Sequence, residues 1–429
     1  MSMNRVLAML LAGGQGSRLS LLCQNRAKPA VPFAGVYRII DFTVSNVMNA
    51  GIPYLGITTQ FRPYSLHNHL GSGEAWGFVG RNRMARTLPP YKGEADSDWY
   101  ANTADAITQN LNFIKRFDVD IILVLSGDHI YQMDYARLIE YHREKKAELT
   151  IATQPVAWEE TSRFGLMITN ENGKIVGFQE KPKSNPISNL ASLGIYVFNR
   201  DILFSRLRED AADPDSQHDF GRNVIPAMIE KNRVYSYKFE DYWRDVGTVD
   251  SYWNTNLEAL RSESGLRIRE WRLRTNMKLR PLRELRPMQI LSGGKLKGSI
   301  ASCGSVVEGE VVNSVLSPGV RVGRDAHVEN CVLLDNVDVG KGARLRDLVA
   351  DKNVVMEDGC VVGEGDEAAN RRFPHLFNTG VSLIGKGARL PGGFAVGRNC
   401  LIAGGLAPGD FPSRGLASGE TLLAAITRS

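Results

Sequence analysis

Near the start of the chain, Gly13, Gly14 and Gly16 follow an apolar run from Val6 to Ala12, and Arg18, Arg26 and Lys28 come soon after. Glycines admit backbone N–H groups to a bound phosphate, and nearby cations neutralise it. The stretch lacks the Gly-Lys-Ser/Thr ending of a P-loop, and Leu19 stands where a dinucleotide fingerprint needs its third glycine. A short Gly-rich turn backed by cations suggests instead a nucleoside triphosphate held for attack at phosphorus. A plain strand-to-helix turn with a solvated arginine has the same pattern. Asp128 follows a second apolar run, Ile121–Leu125, in Ser126-Gly127-Asp128. Ligands of open α/β sheets sit outside the carboxyl ends of strands, where both segments end. A turn or helix cap is the structural alternative for such an aspartate.

The elements that must carry these residues alternate. Val6–Ala12, Tyr54–Thr59, Ile121–Leu125, Leu149–Pro155 and Gly194–Phe198 read as strands, and Thr103–Phe117 and Tyr135–Lys146 as helices. Such alternation predicts an α/β fold with a largely parallel sheet. From Arg261 to Pro287 the texture changes to nine cations against three acids, interrupted by Pro281 and Pro287, which predicts a solvated basic linker. Beyond it the apolar residues recur every six positions. Val320, Ala326 and Val332 form one series, with Val322 and Val328 beside it, and Val337, Ala343 and Val349 resume after a one-residue slip. Ile384, Leu390, Val396 and Ile402 form a later run, with Gly385 and Gly397 at matching turns, after a polar interruption from Gly363 to Gly380. This period predicts a parallel β-helix whose coils bury their apolar faces only by stacking. The expected domains are thus 1–260, a linker 261–287, and 288–429.

Composition narrows the classes. The 52 Lys+Arg against 47 Asp+Glu leave a net charge of +5, too small and too spread to argue for nucleic acid. Five cysteines form no C-x-x-C pair and are expected to be reduced and buried, as in a cytoplasmic protein. No apolar run approaches a membrane span, and the N-terminal segment lacks a cleavage pattern.

The blocks LAGGQGSRLSLLCQNRAKPAV, RIIDFTVSN, WYANTADAITQN, SGDHIYQMDY, FGLM, FQEKP, LASLGIYVF, SQHDFG and WRDVGT run in order from Leu11 to Thr248. In that order the chain resembles the bacterial sugar-1-phosphate nucleotidyltransferases and, within them, the glucose-1-phosphate adenylyltransferase (ADP-glucose pyrophosphorylase) branch. The resemblance implies a Rossmann-like catalytic domain followed by a left-handed parallel β-helix, and the reaction of ATP with glucose 1-phosphate to give ADP-glucose and pyrophosphate. It implies nucleotide binding by Gly13, Gly14, Gly16, Arg18 and Lys28, with Arg18, Lys28 and Asp128 catalytic. Asp128 and Asp245 would hold Mg2+. Tyr100, Gly165, Glu180, Lys181 and Ser192 would surround glucose 1-phosphate, Lys181 at its phosphate. It further implies a homotetramer responding to anionic metabolite effectors, in glycogen synthesis. The same blocks leave open a UTP- or dTTP-using relative, or a non-catalytic regulatory subunit. An acetyl-transferring β-helix would need a base, and His327 and His375 are the histidines there.

Departures from the family pattern carry expectations of their own. Asn25 stands where some members have an activator-linked lysine, while Arg26 is kept. Ser20–Cys23 departs from the usual texture of the loop's second half. Asn102 replaces a glycine, and the turn there would survive through asparagine's tolerance of left-handed backbone. Usual members end soon after the segment matching Arg371–Phe373, so the coils from Val381 to Ile402 read as extra.

Overall fold

The structure is a computed structural model that describes residues 3–91, 99–279 and 284–424. Arg280, Pro281 and Arg283 of the expected linker lie outside the described residues. The chain packs as two compact units. One comprises Met1–Gly14, Phe42–Pro63 and Leu70–Trp243, and the other Gln15–Asp41, Tyr64–His69 and Arg244–Ser429.

The first unit is built on a nine-stranded sheet. Its strands are β1 (Val6–Leu11), β2 (Tyr54–Thr58), β3 (Met84–Leu88), β4 (Ile121–Ser126), β5 (Leu149–Pro155), β6 (Gly165–Thr169), β7 (Ile175–Glu180), β8 (Leu190–Asn199) and β9 (Val234–Lys238). The strands β4, β1, β2 and β3 lie side by side and parallel, as the alternating pattern predicts. Both β1 and β4 are buried along almost their whole length, which is why they read as unbroken apolar runs. The other half of the sheet is mixed. Strand β8 runs antiparallel between β4 and β5, β9 runs parallel to β5, and the hairpin β6–β7 joins β8 where Leu166 meets Ala191. Strand β8 extends well beyond the expected Gly194–Phe198, and its register on β5 shifts between Ser192 and Tyr196. Gly194 has φ +66 there, and a Cβ on it would come within 3.3 Å of Ser126 Cβ. A bulge of this kind re-aims side chains beside a site.

The helix expected over Thr103–Phe117 is broken. Helix α1 covers Thr103–Thr108, and a shorter one, Leu111–Ile114, follows. Asn110 lies between them and donates its side-chain amide to Ala106 O at 2.8 Å and to the Tyr100 hydroxyl at 3.0 Å. Such side-chain bonds compete with the helical ladder. Asn102, just before α1, is extended with φ −162 and caps the helix by accepting from Thr103 N. The left-handed backbone expected there is absent, because a cap needs only extended geometry. Helix α2 is Tyr135–Glu144 and α3 is Arg200–Ala212.

The second unit holds the β-helix. Parallel pairs such as Arg321–Asp338, His327–Arg344 and Val332–Val349 make a coil of 17 residues. That is one fewer than three hexads, and it accounts for the slip after Val332. Corners at Asp325 and Gly342, at Asn313, Asn330 and Asp347, and at Asn336 and Asn353 all have positive φ. Asparagine and aspartate accept this conformation better than other side chains. The corner amides also bond from coil to coil, Asn313 Nδ2 to Asn330 Oδ1 at 2.6 Å and Asn330 Nδ2 to Asp347 Oδ1 at 3.1 Å. All the hexad residues named above are buried. Gly385 and Gly397 are not at left-handed turns. A Cβ on either would lie 2.4 Å from the backbone nitrogen of Gly404 or Ser418, so close approach of the next coil demands glycine. Cys331, Cys360 and Cys400 sit in this core as free thiols, as expected, and burial pushes the Cys360 thiol up to about 11. Among the described linker cations, Arg261, Arg267, Arg269, Arg272, Arg274, Lys278 and Arg286 are exposed, while Leu266 and Trp271 are buried.

Helix α4 (Val249–Glu258) fastens the glycine-loop segment of this unit. Tyr252 donates to Pro32 O at 2.5 Å, Asn256 Oδ1 accepts from Ala34 N at 2.8 Å, and Trp253 Nε1 donates to Asn330 O at 2.7 Å.

In the first unit, α2 carries a buried histidine between strands. His142 Nε2 meets Asn199 Oδ1 at 3.0 Å and Nδ1 meets Thr150 Oγ1 at 2.8 Å. Burial holds the imidazole pKa below its usual value. The unfolded chain therefore takes up this proton first as pH falls. Stability should be full above about pH 6.5 and decline as pH drops through the depressed folded value. Thermal melts of the protein and of His142→Gln from neutral to mildly acidic pH check this. The substitution should flatten the decline, and identical slopes would refute it.

Candidate active site

Gly13 and Gly14 leave the carboxyl end of β1 in the first unit. A Cβ on Gly13 would lie 3.3 Å from Gln60 Cβ, and one on Gly14 would meet open space. Gly16, in the second unit, is the glycine the loop cannot replace. Its φ is +66, and a Cβ there would strike Cys23 Sγ at 2.6 Å and Lys28 Cβ at 2.9 Å. Ser20, in the stretch that departs from the family texture, also has positive φ, at 53. Left-handed backbone on a non-glycine residue stores strain that surrounding packing must hold.

The second unit brings Arg18, Lys28 and Asp245 together. Lys28 is buried, and its Nζ lies 2.8 Å from Asp245 Oδ1. Arg18 is half exposed, with a guanidinium nitrogen 3.8 Å from Asp245 Oδ2. Gly247 makes this possible, since a Cβ there would sit 2.8 Å from Asp245 Oδ2 and 2.9 Å from Arg18 Nη2. An exposed guanidinium fork suits a phosphate chain, and the buried ammonium acts as a fixed point charge.

In the first unit Asp128 stands just past β4, as expected. The Ser126 hydroxyl donates to its Oδ1, and His129 Nε2 lies 3.3 Å from the same oxygen. The His129 ring packs edge-on against Trp243, which packs against Phe164. Gly165, Glu180 and Lys181 cluster, with Lys181 Nζ 3.0 Å from Glu180 Oε1. Lys181 has φ +43, and its N–H donates to Phe164 O at 3.1 Å. Burial raises the Tyr196 phenol, which bonds Ser192 and feels the charges of Glu180 and Asp219. Tyr100 is committed differently. Its hydroxyl donates to Leu88 O at 2.9 Å and accepts from Asn110, and burial pushes its pKa up to about 12.

Sequence reasoning assigned no role to several groups of this cluster. Asp219 Oδ2 accepts from the Thr103 hydroxyl at 2.8 Å, and that hydroxyl accepts from Phe220 N at 3.0 Å. His129, Trp243, Gly221 and Gly247 were likewise passed over, although SQHDFG and WRDVGT frame most of them. On the β-helix, the partly exposed His327 lies beside Glu310 and Glu329, and His375 is exposed. Neither sits as a base in an enclosed cleft.

The different burial of the two aspartates yields a prediction. The Asp128 side chain is 30% exposed, whereas the Asp245 side chain is 8% exposed and paired with buried Lys28. Removing one half of a buried pair costs about 3–5 kcal/mol. Asp245→Ala should therefore lower both turnover and melting temperature, and Asp128→Asn turnover alone. Paired melts and rate assays check this, and equal melting losses would contradict it.

The family pattern described as "Nucleotidyl transferase" matches residues 7–262, and one described as "GlmU-like, C-terminal hexapeptide" matches residues 289–384. The β-helix is accordingly of the left-handed hexapeptide class. A Thermotoga maritima protein named glucose-1-phosphate adenylyltransferase is 44% identical over 425 residues, 98% of this chain and 99% of that protein. One of the same name from Acetivibrio thermocellus is 38% identical over 426 residues, 99% of each chain. One from Clostridium beijerinckii is 46% identical over 373 residues, 86% of this chain and 95% of that protein. The first two alignments leave too little of this chain uncovered to exclude Val381–Ile402, so these coils are shared with those relatives and are not an extra feature. With its glycine loop, its paired aspartates and its coils all spanned by such relatives, the chain belongs to the nucleotidyl transferase family, in the glucose-1-phosphate adenylyltransferase branch.

Proposed function

We propose that the protein transfers the adenylyl group of ATP to glucose 1-phosphate, releasing pyrophosphate and forming ADP-glucose for glycogen synthesis. The observation that carries this reading is near-full-length similarity to proteins of that name; the buried Lys28–Asp245 pair of one unit and the Glu180–Lys181 pair of the other support it. A sugar-phosphate oxygen attacks the α-phosphorus, and pyrophosphate leaves in line. The site's task is to hold two anions together and stabilise charge on the leaving oxygens. Arg18 and Lys28 bind the triphosphate and the departing pyrophosphate. Lys181 binds the phosphate of glucose 1-phosphate, Glu180 and Ser192 bind its hydroxyls, and Gly165 gives the ligand close access to the backbone. Tyr100 contributes its backbone and ring, its hydroxyl being engaged elsewhere.

Nucleotidyl transferases use a divalent metal, and we assign it to Mg2+ on Asp128 and Asp245. Their carboxylate oxygens are the hard donors such an ion takes. When bound, the ion neutralises charge building on the phosphate oxygens. We divide the chain into domains at 1–260 and 288–429 with a linker at 261–287, a reading supported by the family matches at 7–262 and 289–384. From the family resemblance we infer a cytoplasmic homotetramer; no helix among the described residues is long and apolar enough to cross a membrane.

Regulation by anionic metabolites is part of the same proposal. The second unit contains a cleft of about 380 Å³ lined by Asn25, Arg26, Arg38, Lys352 and Lys386, among others. Arg26 Nη1 is buried there without a partner, while Nη2 bonds Asp351 at 2.9 Å. Burial, reinforced by Arg38 and Arg26, pulls the Lys352 pKa down, with Asp335 opposing. An entering anion would relieve both features.

The direct test is pyrophosphate release from glucose 1-phosphate with each nucleoside triphosphate in turn, with and without a panel of glycolytic phosphates. ATP should be strongly preferred. Preference for UTP or dTTP, or no turnover, would overturn the reading, and light scattering reports the assembly. Lys181→Ala should raise the KM for glucose 1-phosphate by about tenfold or more with little change for ATP. An equal rise for both substrates would contradict its role. Lys386→Ala should weaken effector response while leaving the unstimulated rate intact, and unaltered response would exclude this cleft.

A further inference from the structure

The carboxylate of Glu180 lies in a slot between two glycines. A Cβ on Gly165 would fall 2.8 Å from Glu180 Oε2, and one on Gly221 would fall 2.7 Å from the same oxygen and 3.0 Å from Glu180 Cδ. Real Cβ atoms do not approach so closely, so either substitution must move the carboxylate. The two glycines differ in what else they touch. Gly165 also faces the Phe178 ring at 2.8 Å, so its small size serves packing as well. The next-nearest atom to a Cβ on Gly221 is Asp219 Oδ1, at 3.3 Å.

Nothing in its backbone requires residue 221 to be glycine. It lies in the helical turn Phe220–Val224, whose N-cap Asp219 accepts from Arg222 N, and it is not among the positive-φ glycines. Alanine is the better helix former. A glycine that costs helix stability, and whose nearest would-be Cβ contacts are carboxylate atoms, is explained by what those carboxylates do.

We propose that Gly221 is a positioning residue for substrate recognition: by lacking a side chain it keeps open the slot that aims the Glu180 carboxylate at the sugar. The proposal rests on the reading of Glu180 as a ligand of glucose 1-phosphate. It extends to Lys181, because the ammonium of Lys181 is anchored 3.0 Å from the other Glu180 oxygen. A methyl group at 221 displaces the end of a flexible side chain, which the fold tolerates, while the sugar loses a fixed partner.

The test uses Gly221→Ala in the full chain. The KM for glucose 1-phosphate should rise about tenfold or more, that for ATP should stay within about twofold, and the melting temperature should not fall. Glu180→Asp, shorter by one methylene, supplies a readout that a structural role would not move. In the Glu180→Asp background the carboxylate is withdrawn from the slot, so adding Gly221→Ala should change the KM far less than it does beside Glu180. Two results would overturn the proposal: an unchanged KM in Gly221→Ala, or an equal rise in both backgrounds. Glu180→Ala separates the two layers. If it leaves the KM for glucose 1-phosphate unaltered, the reading of Glu180 fails and the proposal with it. If it raises the KM while Gly221→Ala does not, only the role of Gly221 fails.

Discussion

Buried cations govern how the glycine-loop segment is held. Arg26 and Lys28 are both almost fully buried, and neither could stay there as an isolated charge. Each is matched to a carboxylate far along the chain, Arg26 to Asp351 and Lys28 to Asp245. The net stability of such a pair is small, since desolvation opposes attraction, but losing one partner is severe. The pairs therefore act as constraints on geometry. With Tyr252 and Asn256 binding Pro32 and Ala34, they hold residues 15–41 to the helix and coils of the second unit. Arg18, to which we assign the triphosphate, is the cation of this group left half exposed.

The same opposition between packing and access shapes the first unit. Its parallel strands β1 and β4 are buried along almost their whole length and deliver Gly13, Gly14 and Asp128 at their ends. The antiparallel strand β8 then brings Ser192 and the bulge at Gly194 to the same end of the sheet as Ser126. Left-handed backbone at Lys181 and Ser20 is strain that the surrounding packing must hold.

Much of this was legible in the chain. Strands β1 and β4 announce themselves because burial on both faces leaves unbroken apolar runs, whereas the half-buried parallel strand β3 does not, and the β-helix announces itself because stacked coils repeat their core positions. The grouping of Arg18, Lys28 and Asp245, and of Gly165, Glu180 and Lys181, required the ordered family blocks, since no local pattern links residues so far apart. The break at Asn110 was missed because helical periodicity continues across it. Gly221 and Gly247 were missed for a related reason. A glycine whose purpose is room for a distant side chain looks, in sequence, like any other. The length of the coil was nearly visible, since Asn313, Asn330 and Asp347 already step by 17.

That step bears on how the β-helix can change length in evolution. Single residues can be absorbed at a corner: Val332 pairs with Val349 after 17 residues and Leu383 with Leu401 after 18, and all four stay buried. Length therefore changes in two ways, by single residues at corners or by excursions that leave and re-enter the stack. The segment between Val362 and Ser382 has the second form. Pairing skips it, with Leu348 meeting Ser382 and Val361 meeting Ala395. Buried Asn370 closes its base by bonding Phe377 O, Asn399 O and the N–H groups of Arg372 and Phe373. New surface can thus be added there without re-registering the core.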